Sequence, residues 1–199
     1  MVDPERRGRN TAAEPTHSHL MKRTQRTHHL LLSLAVGLAF GLSASAADLS
    51  VKLSDVHLCC QSCVKGVQAA VAGVPGITAA ADKDDGTVTL TGPDKATVQK
   101  AADALVAAGY FGKSGDASIQ MRAHSGAKGQ KVKSLQVEGV HLCCGKCVSA
   151  VNDALGSVAG VTGNTAAKNA KSFTVSGDFK YEEVFAALQK AGLAGRAGK

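Results

Sequence analysis

The sequence predicts an α+β protein made of two tandem βαββαβ domains, the last strand of the second short or missing. Three observations carry this. The segment Val56-His57-Leu58-Cys59-Cys60-Gln61-Ser62-Cys63-Val64 returns as Val140-His141-Leu142-Cys143-Cys144-Gly145-Lys146-Cys147-Val148. The offset stays near 84 residues well to either side, which marks a duplicated module. Within each copy the apolar spacing alternates between the period of strands and that of amphipathic helices.

The elements follow in order. Leu49-Ser50-Val51-Lys52-Leu53 and Lys133-Ser134-Leu135-Gln136-Val137 alternate like half-buried strands. Val64, Val67, Val71 and Val74, matched by Val148, Val151, Leu155 and Val158, recur at helical spacing. Gly76-Ile77 and Gly160-Val161 open a second strand. Asp84-Asp85-Gly86 is a hairpin turn, with its counterpart near Asn169-Ala170-Lys171. Thr87 to Gly92 and Ser172 to Gly177 are the returning strands. Pro93-Asp94 leads into a second helix with Val98, Ala101, Ala102, Leu105 and Val106 on one face; the second copy uses Tyr181, Val184, Phe185 and Leu188. Gly109 and Gly192 end these helices as C-terminal caps commonly do. A last strand is expected within Tyr110 to Met121, while Leu193 to Lys199 offer only a short, Gly-rich edge. With that strand counted, the order is the split βαβ, ferredoxin-like arrangement. The domains span 48–120 and 134–199, with a linker over 121–133. Ser114 to Lys133 includes a Gly/Ser/Lys-rich stretch that reads as flexible.

With 199 residues, 44% hydrophobic and no Trp, each core must be built from Val, Leu, Ile and Ala. Such small cores are marginal, so a bound metal would add stability. Residues 1–47 carry six Lys/Arg and three Asp/Glu, leaving a net charge of +4 on the rest. No basic run is interleaved with aromatics, which excludes nucleic acid as the expected partner. From Met21, the expected start, Lys22 to His29 form a positive n-region and Leu30 to Leu42 an apolar h-region. Ala44-Ser45-Ala46 offers small residues for cleavage, so the expected location is periplasmic or secreted. The apolar run falls short of the roughly 20 residues of a membrane span. A membrane is expected only through an uncleaved signal segment.

All six cysteines lie in the two copies of the repeated segment. Thiolate is the ligand that soft d¹⁰ metal ions prefer, so metal handling leads. Cys60 and Cys144 fall on a strand-to-helix loop, and Cys63 and Cys147 on the first helical turn. The unpaired amides and positive dipole end of a helix N-terminus favour thiolate there. Both sulfurs of each pair are expected to point outward, with an ion expected in each domain; one ion shared between the two domains across the linker stays open. Disulfides are the competing reading, because exported thiols oxidise. Cys59 and Cys143 are added ligands or half-buried small residues; His57 and His141 are added ligands or ordinary core or surface histidines. Asp82, Asp84 and Asp85 mark a solvated turn and not a Ca(II) site, since the second copy lacks them.

With Cys-x-x-Cys after its first strand, the chain resembles the heavy-metal-associated domain of copper chaperones and metal-transporting P-type ATPases, over roughly residues 50–120 and 134–199. The resemblance implies that Cys60 with Cys63, and Cys144 with Cys147, are metal pairs. The family's Gly-Met-x-Cys-x-x-Cys becomes His57-Leu58-Cys59-Cys60-x-x-Cys63 here, with Leu58 at the inward Met position. By the same resemblance Tyr110 lies near the metal, a place Leu193 does not fill.

No Ser/His/Asp constellation, phosphate-cradling glycine loop or repeated carboxylate pair is present. The expected protein is therefore not an enzyme. It is an exported binder of Cu(I) or another soft metal ion, with Zn(II) as the alternative, which sequesters the ion or exchanges it with a metal-donor or metal-acceptor protein. Thiol–disulfide exchange through the same pairs is the rival function, although the Trp or Pro that often flanks such a motif is missing. An interaction module with all thiols oxidised is a third reading. Three cysteines per domain would then force a bridge between domains or chains.

Overall fold

Alternating side chains set the first strand. Val51 and Leu53 of β1 (Leu49–Ser54) are buried and their neighbours are not, and the same holds for Leu135 and Val137 of β5 (Lys131–Glu138). The computed structural model describes residues 47–198. The expected leader and signal peptide, all but Ala47, fall outside the described residues.

After β1 the chain forms α1 (Gln61–Val71), β2 (Thr78–Asp82), β3 (Thr87–Gly92), α2 (Lys95–Ala107) and β4 (Lys113–Ser114). After β5 it forms α3 (Gly145–Gly156), β6 (Val161–Asn164), β7 (Ser172–Lys180), α4 (Tyr181–Lys190) and β8 (Arg196–Ala197). Among the described residues there are two four-stranded antiparallel sheets, ordered β2-β3-β1-β4 and β6-β7-β5-β8. This α+β arrangement is compatible with two ferredoxin-like domains. Both closing strands are two residues long, and the one expected to be short or missing is present. Among the described residues no helix is long and apolar enough to cross a membrane.

The helices are amphipathic by design of sequence. Cys63, Val64, Val67 and Val71 form the buried face of α1, and Cys147, Val151 and Leu155 that of α3. Asp94 caps α2, its carboxylate accepting from the Thr97 amide at 2.7 Å. Val106, expected on the buried face of α2, is only half-buried. The Asp82 carboxylate accepts from the amides of Asp84 and Asp85 at 2.8 and 3.2 Å, which closes the acidic turn on itself.

The connection between halves makes contacts at several points. Ile119 is buried. Gln99 exchanges two hydrogen bonds with the Gln120 backbone at 2.7 and 2.9 Å. His124 stands edge-on to Phe185 with centroids 4.5 Å apart, and its carbonyl accepts from Gln189 at 2.7 Å. Glu182 accepts from the Gly129 amide at 2.9 Å.

The two halves also meet at the ends of α2 and α4. Tyr110 and Leu193 pair as an antiparallel bridge. Around it, the Ala194 amide donates to Gly109 C=O at 2.9 Å, and the Phe111 amide to Gly192 C=O at 3.1 Å. Gly109 and Gly192 have φ of 92° and 76°. A Cβ at Gly109 would meet the backbone of Gly139 to His141, and one at Gly192 the backbone of Asp55 to His57. These glycines thus end a helix and also let the other half's backbone come close. Nearly all the buried apolar residues of both halves form one continuous cluster.

Candidate metal centre

Each cysteine is placed by the short segment between its first strand and first helix. Val56 and Leu58 are buried, as are Val140 and Leu142, so these positions hold the segment to the core. Leu58 thereby packs inward as the resemblance implied. Cys60 and Cys144 are the N-caps of α1 and α3, and Cys63 and Cys147 lie in the first turns. Both of the latter are fully buried; Cys59, Cys60, Cys143 and Cys144 are half-buried.

The sulfurs of both halves converge on one place. Within each half the Cys-x-x-Cys sulfurs are 3.8 Å apart, and Cys59 and Cys143 stand 3.7 Å from Cys63 and Cys147 of their own halves. Across the halves, Cys59 Sγ lies 3.3 Å from Cys144 and 3.5 Å from Cys147. Cys143 Sγ mirrors this, at 3.7 Å from Cys60 and 3.5 Å from Cys63. All six are free cysteines. The expectation of outward-facing pairs is therefore corrected, and of the separate and shared arrangements that the sequence left open the sulfurs adopt the shared one. Tyr110, Leu193 and the two glycines dock the halves face to face, and the pairs point into the junction.

Among the described residues, donor triplets with all their ligand atoms within 4.8 Å of one another include Cys60, Cys63 and Cys143; Cys143, Cys144 and Cys147; Cys59, Cys60 and Cys144; and His57, Cys59 and Cys147. Such sets can hold a metal ion. The dimensions also fit. An ion at the centre of the Cys60, Cys63, Cys143 triangle stands about 2.1 Å from each sulfur, against a metal–thiolate bond of about 2.3 Å.

The electrostatics separate the thiols by position. The Cys63 amide, on the first turn of α1, favours the Cys60 thiolate and brings that thiol down to about 6, short of a full capping hydrogen bond. The Cys147 amide likewise lowers Cys144. Burial pushes Cys59 and Cys143 up, and hydrogen bonding among the sulfurs adds to it. Burial raises Cys147 as well. In this arrangement the Cys59 and Cys143 thiols can donate to the Cys144 and Cys60 thiolates across the junction, and an incoming cation would take the place of those protons.

The histidines differ although their sequences match. His141 stacks on Tyr110 with centroids 4.5 Å apart, and its Nε2 lies 3.0 Å from the Tyr110 hydroxyl. That hydroxyl donates to the Cys63 carbonyl at 3.0 Å, so His141 Nε2 carries the proton of the other bond. Leu193, at the place equivalent to Tyr110, carries no hydroxyl, and among the described residues His57 Nε2 is buried with no hydrogen-bond partner. Burial lowers the pKa of both rings. Tyr110 does lie at the cysteines, as the resemblance implied, but it spans the junction: it bonds its own half's Cys63 and the other half's His141. Sequence reading missed that crossing. Its one available signal was the odd cysteine count in each copy, which leaves each set short of a partner.

No protein-family model matches the chain, and no curated protein matches it. Among solved structures, the N-terminal soluble domains of Bacillus subtilis CopA are 14% identical, covering 77% of this chain and 95% of theirs, with a TM-score of 0.28. The first two RRM domains of the yeast poly(U)-binding protein Pub1 are 10% identical, covering 75% and 98%, with a TM-score of 0.23. Likenesses this low bear on neither fold nor function.

Proposed function

We propose that this chain is a non-catalytic protein that takes up soft metal ions, Cu(I) foremost, on one six-thiol centre shared by its two halves. The observation that carries the reading is the cross-junction approach of Cys59 to Cys144 and Cys147, mirrored by Cys143 with Cys60 and Cys63. Three-sulfur sets suit Cu(I), which accepts two or three thiolates; Zn(II) is the alternative where a fourth donor joins. The buried Cys63 and Cys147 favour retention, hence sequestration. Half-buried Cys60 and Cys144, with their lowered thiols, are the exchange points for a metal-donor or metal-acceptor protein. Export to the periplasm or the outside completes the proposal and rests on the sequence of residues 22–46 alone.

The test is an anaerobic titration of the reduced full chain with Cu(I) against a competing chelator. At least one tightly held equivalent is expected, lost when all six cysteines are serine. The Cys60 thiol at about 6 also suits thiol–disulfide exchange. Turnover of a disulfide substrate without measurable Cu(I) affinity would establish that reading instead.

A further inference from the structure

The six sulfurs divide without remainder into two triangles. One is Cys60, Cys63 and Cys143, with edges of 3.8, 3.7 and 3.5 Å. The other is Cys59, Cys144 and Cys147, with edges of 3.3, 3.5 and 3.8 Å. In each triangle the helix-start pair of one half receives the first cysteine of the other half. A near two-fold relation between the halves would make the two triangles equal, but the histidines break it. His57 groups with Cys59 and Cys147, both members of the second triangle, and among the described residues its Nε2 has no hydrogen-bond partner. Its counterpart at the first triangle, His141, is stacked on and bonded to Tyr110.

We propose that the centre holds two ions in unequal sites, each completed by the opposite half: a three-sulfur site at Cys60, Cys63 and Cys143, and a four-donor site at Cys59, Cys144, Cys147 and His57. This rests on the metal-binding reading above and adds stoichiometry and selectivity to it. Three thiolates in one plane suit Cu(I). Three thiolates and an imidazole are the donor set of a closed tetrahedral Zn(II) site. One chain would then carry one monovalent and one divalent ion. Loading either ion would fasten the two halves together, because neither site is whole within one half.

Co(II), whose visible d–d absorption reports tetrahedral sulfur–nitrogen coordination, is the probe for the second site, used on the reduced full chain under anaerobic conditions. One equivalent is expected to give the tetrahedral spectrum. His57→Asn is expected to weaken Co(II) binding at least tenfold and alter the spectrum, and Cys59→Ser to abolish it. His141→Asn and Cys143→Ser are expected to leave the Co(II) spectrum in place, while Cys143→Ser weakens Cu(I) binding at least tenfold. Native mass spectrometry after adding Cu(I) and Zn(II) together is expected to show one of each per chain. An unchanged Co(II) spectrum in His57→Asn overturns the four-donor site. Loss of Co(II) with Cys143→Ser but not Cys59→Ser overturns completion by the opposite half. Either result with wild-type Cu(I) binding intact leaves the general metal-binding function standing; absence of Cu(I) binding in the wild type removes that function first.

Discussion

Replacing Tyr110 by Phe removes a single oxygen from the middle of the junction. The side chain is fully buried, and its hydroxyl makes two hydrogen bonds of 3.0 Å, one to the Cys63 carbonyl and one with His141 Nε2. The Cys63 carbonyl sits inside α1 and keeps its helical partner, so its loss is about 1 kcal/mol. His141 Nε2–H is left half-buried without an acceptor, a cost of about 1–3 kcal/mol. Relief of burying a hydroxyl returns part of this, so the net loss is about 2 kcal/mol. For a folded region of this size the urea slope is about 2 kcal/mol/M, which places the shift in midpoint near 1 M. The assay is equilibrium urea unfolding of the reduced, metal-free chain followed by circular dichroism. A shift below about 0.2 M at unchanged slope would refute the claim that this hydroxyl bonds both halves. Leu193→Ala at the matching position removes no polar bond. It should cost about 2–5 kcal/mol through its cavity without breaking a hydrogen bond to His57.

Two further outcomes are expected. Iodoacetamide at neutral pH should label Cys60 and Cys144 before Cys59, Cys143 and buried Cys147 in the metal-free protein, as peptide mass mapping would show. Labelling of Cys60 should fall as pH drops through about 6. The folded value of Cys60 lies below that of an ordinary thiol, so its contribution to stability is full above the ordinary value and lost as pH falls through about 6; labelling of Cys59 first would contradict the assignment. Gly66→Ala should lower the thermal midpoint although Ala favours helix by about 1 kcal/mol, because its Cβ would run into the Tyr110 hydroxyl and the His141 ring at an overpacking cost of about 1–3 kcal/mol. A stabilised Gly66→Ala would mean that Tyr110 does not occupy that space.

Element order and buried faces were legible because they are local. Val51 and Leu53 announce a strand by alternation, and Val64, Val67 and Val71 a helix by spacing, and each needs only its own half to satisfy it. The positions of Cys60 and Cys144 at helix N-caps were legible for the same reason. A shared centre stayed open without being decided, because it depends on how two folded halves dock. Gly109 and Gly192 read simply as helix ends, and nothing in their neighbours says that the other half's backbone lies against them. Tyr110 and Leu193 occupy equivalent places, yet only one carries a hydroxyl, and the difference between His57 and His141 appears only once the two halves face each other. The contacts of the connecting stretch were not legible either. Its Gly, Ser and Lys are neutral about docking, which is decided by Ile119, Gln99, Phe185 and Glu182.

The most direct test of a centre built by both halves is the Cu(I) affinity of the full chain carrying Cys143→Ser, Cys144→Ser and Cys147→Ser together. Cys59, Cys60 and Cys63 all remain in that variant. A shared centre predicts that their affinity for Cu(I) falls at least tenfold, because each triangle has lost at least one sulfur across the junction. Retention of one Cu(I) at wild-type affinity would show that the first half binds alone, and the six sulfurs would then be neighbours without a common task.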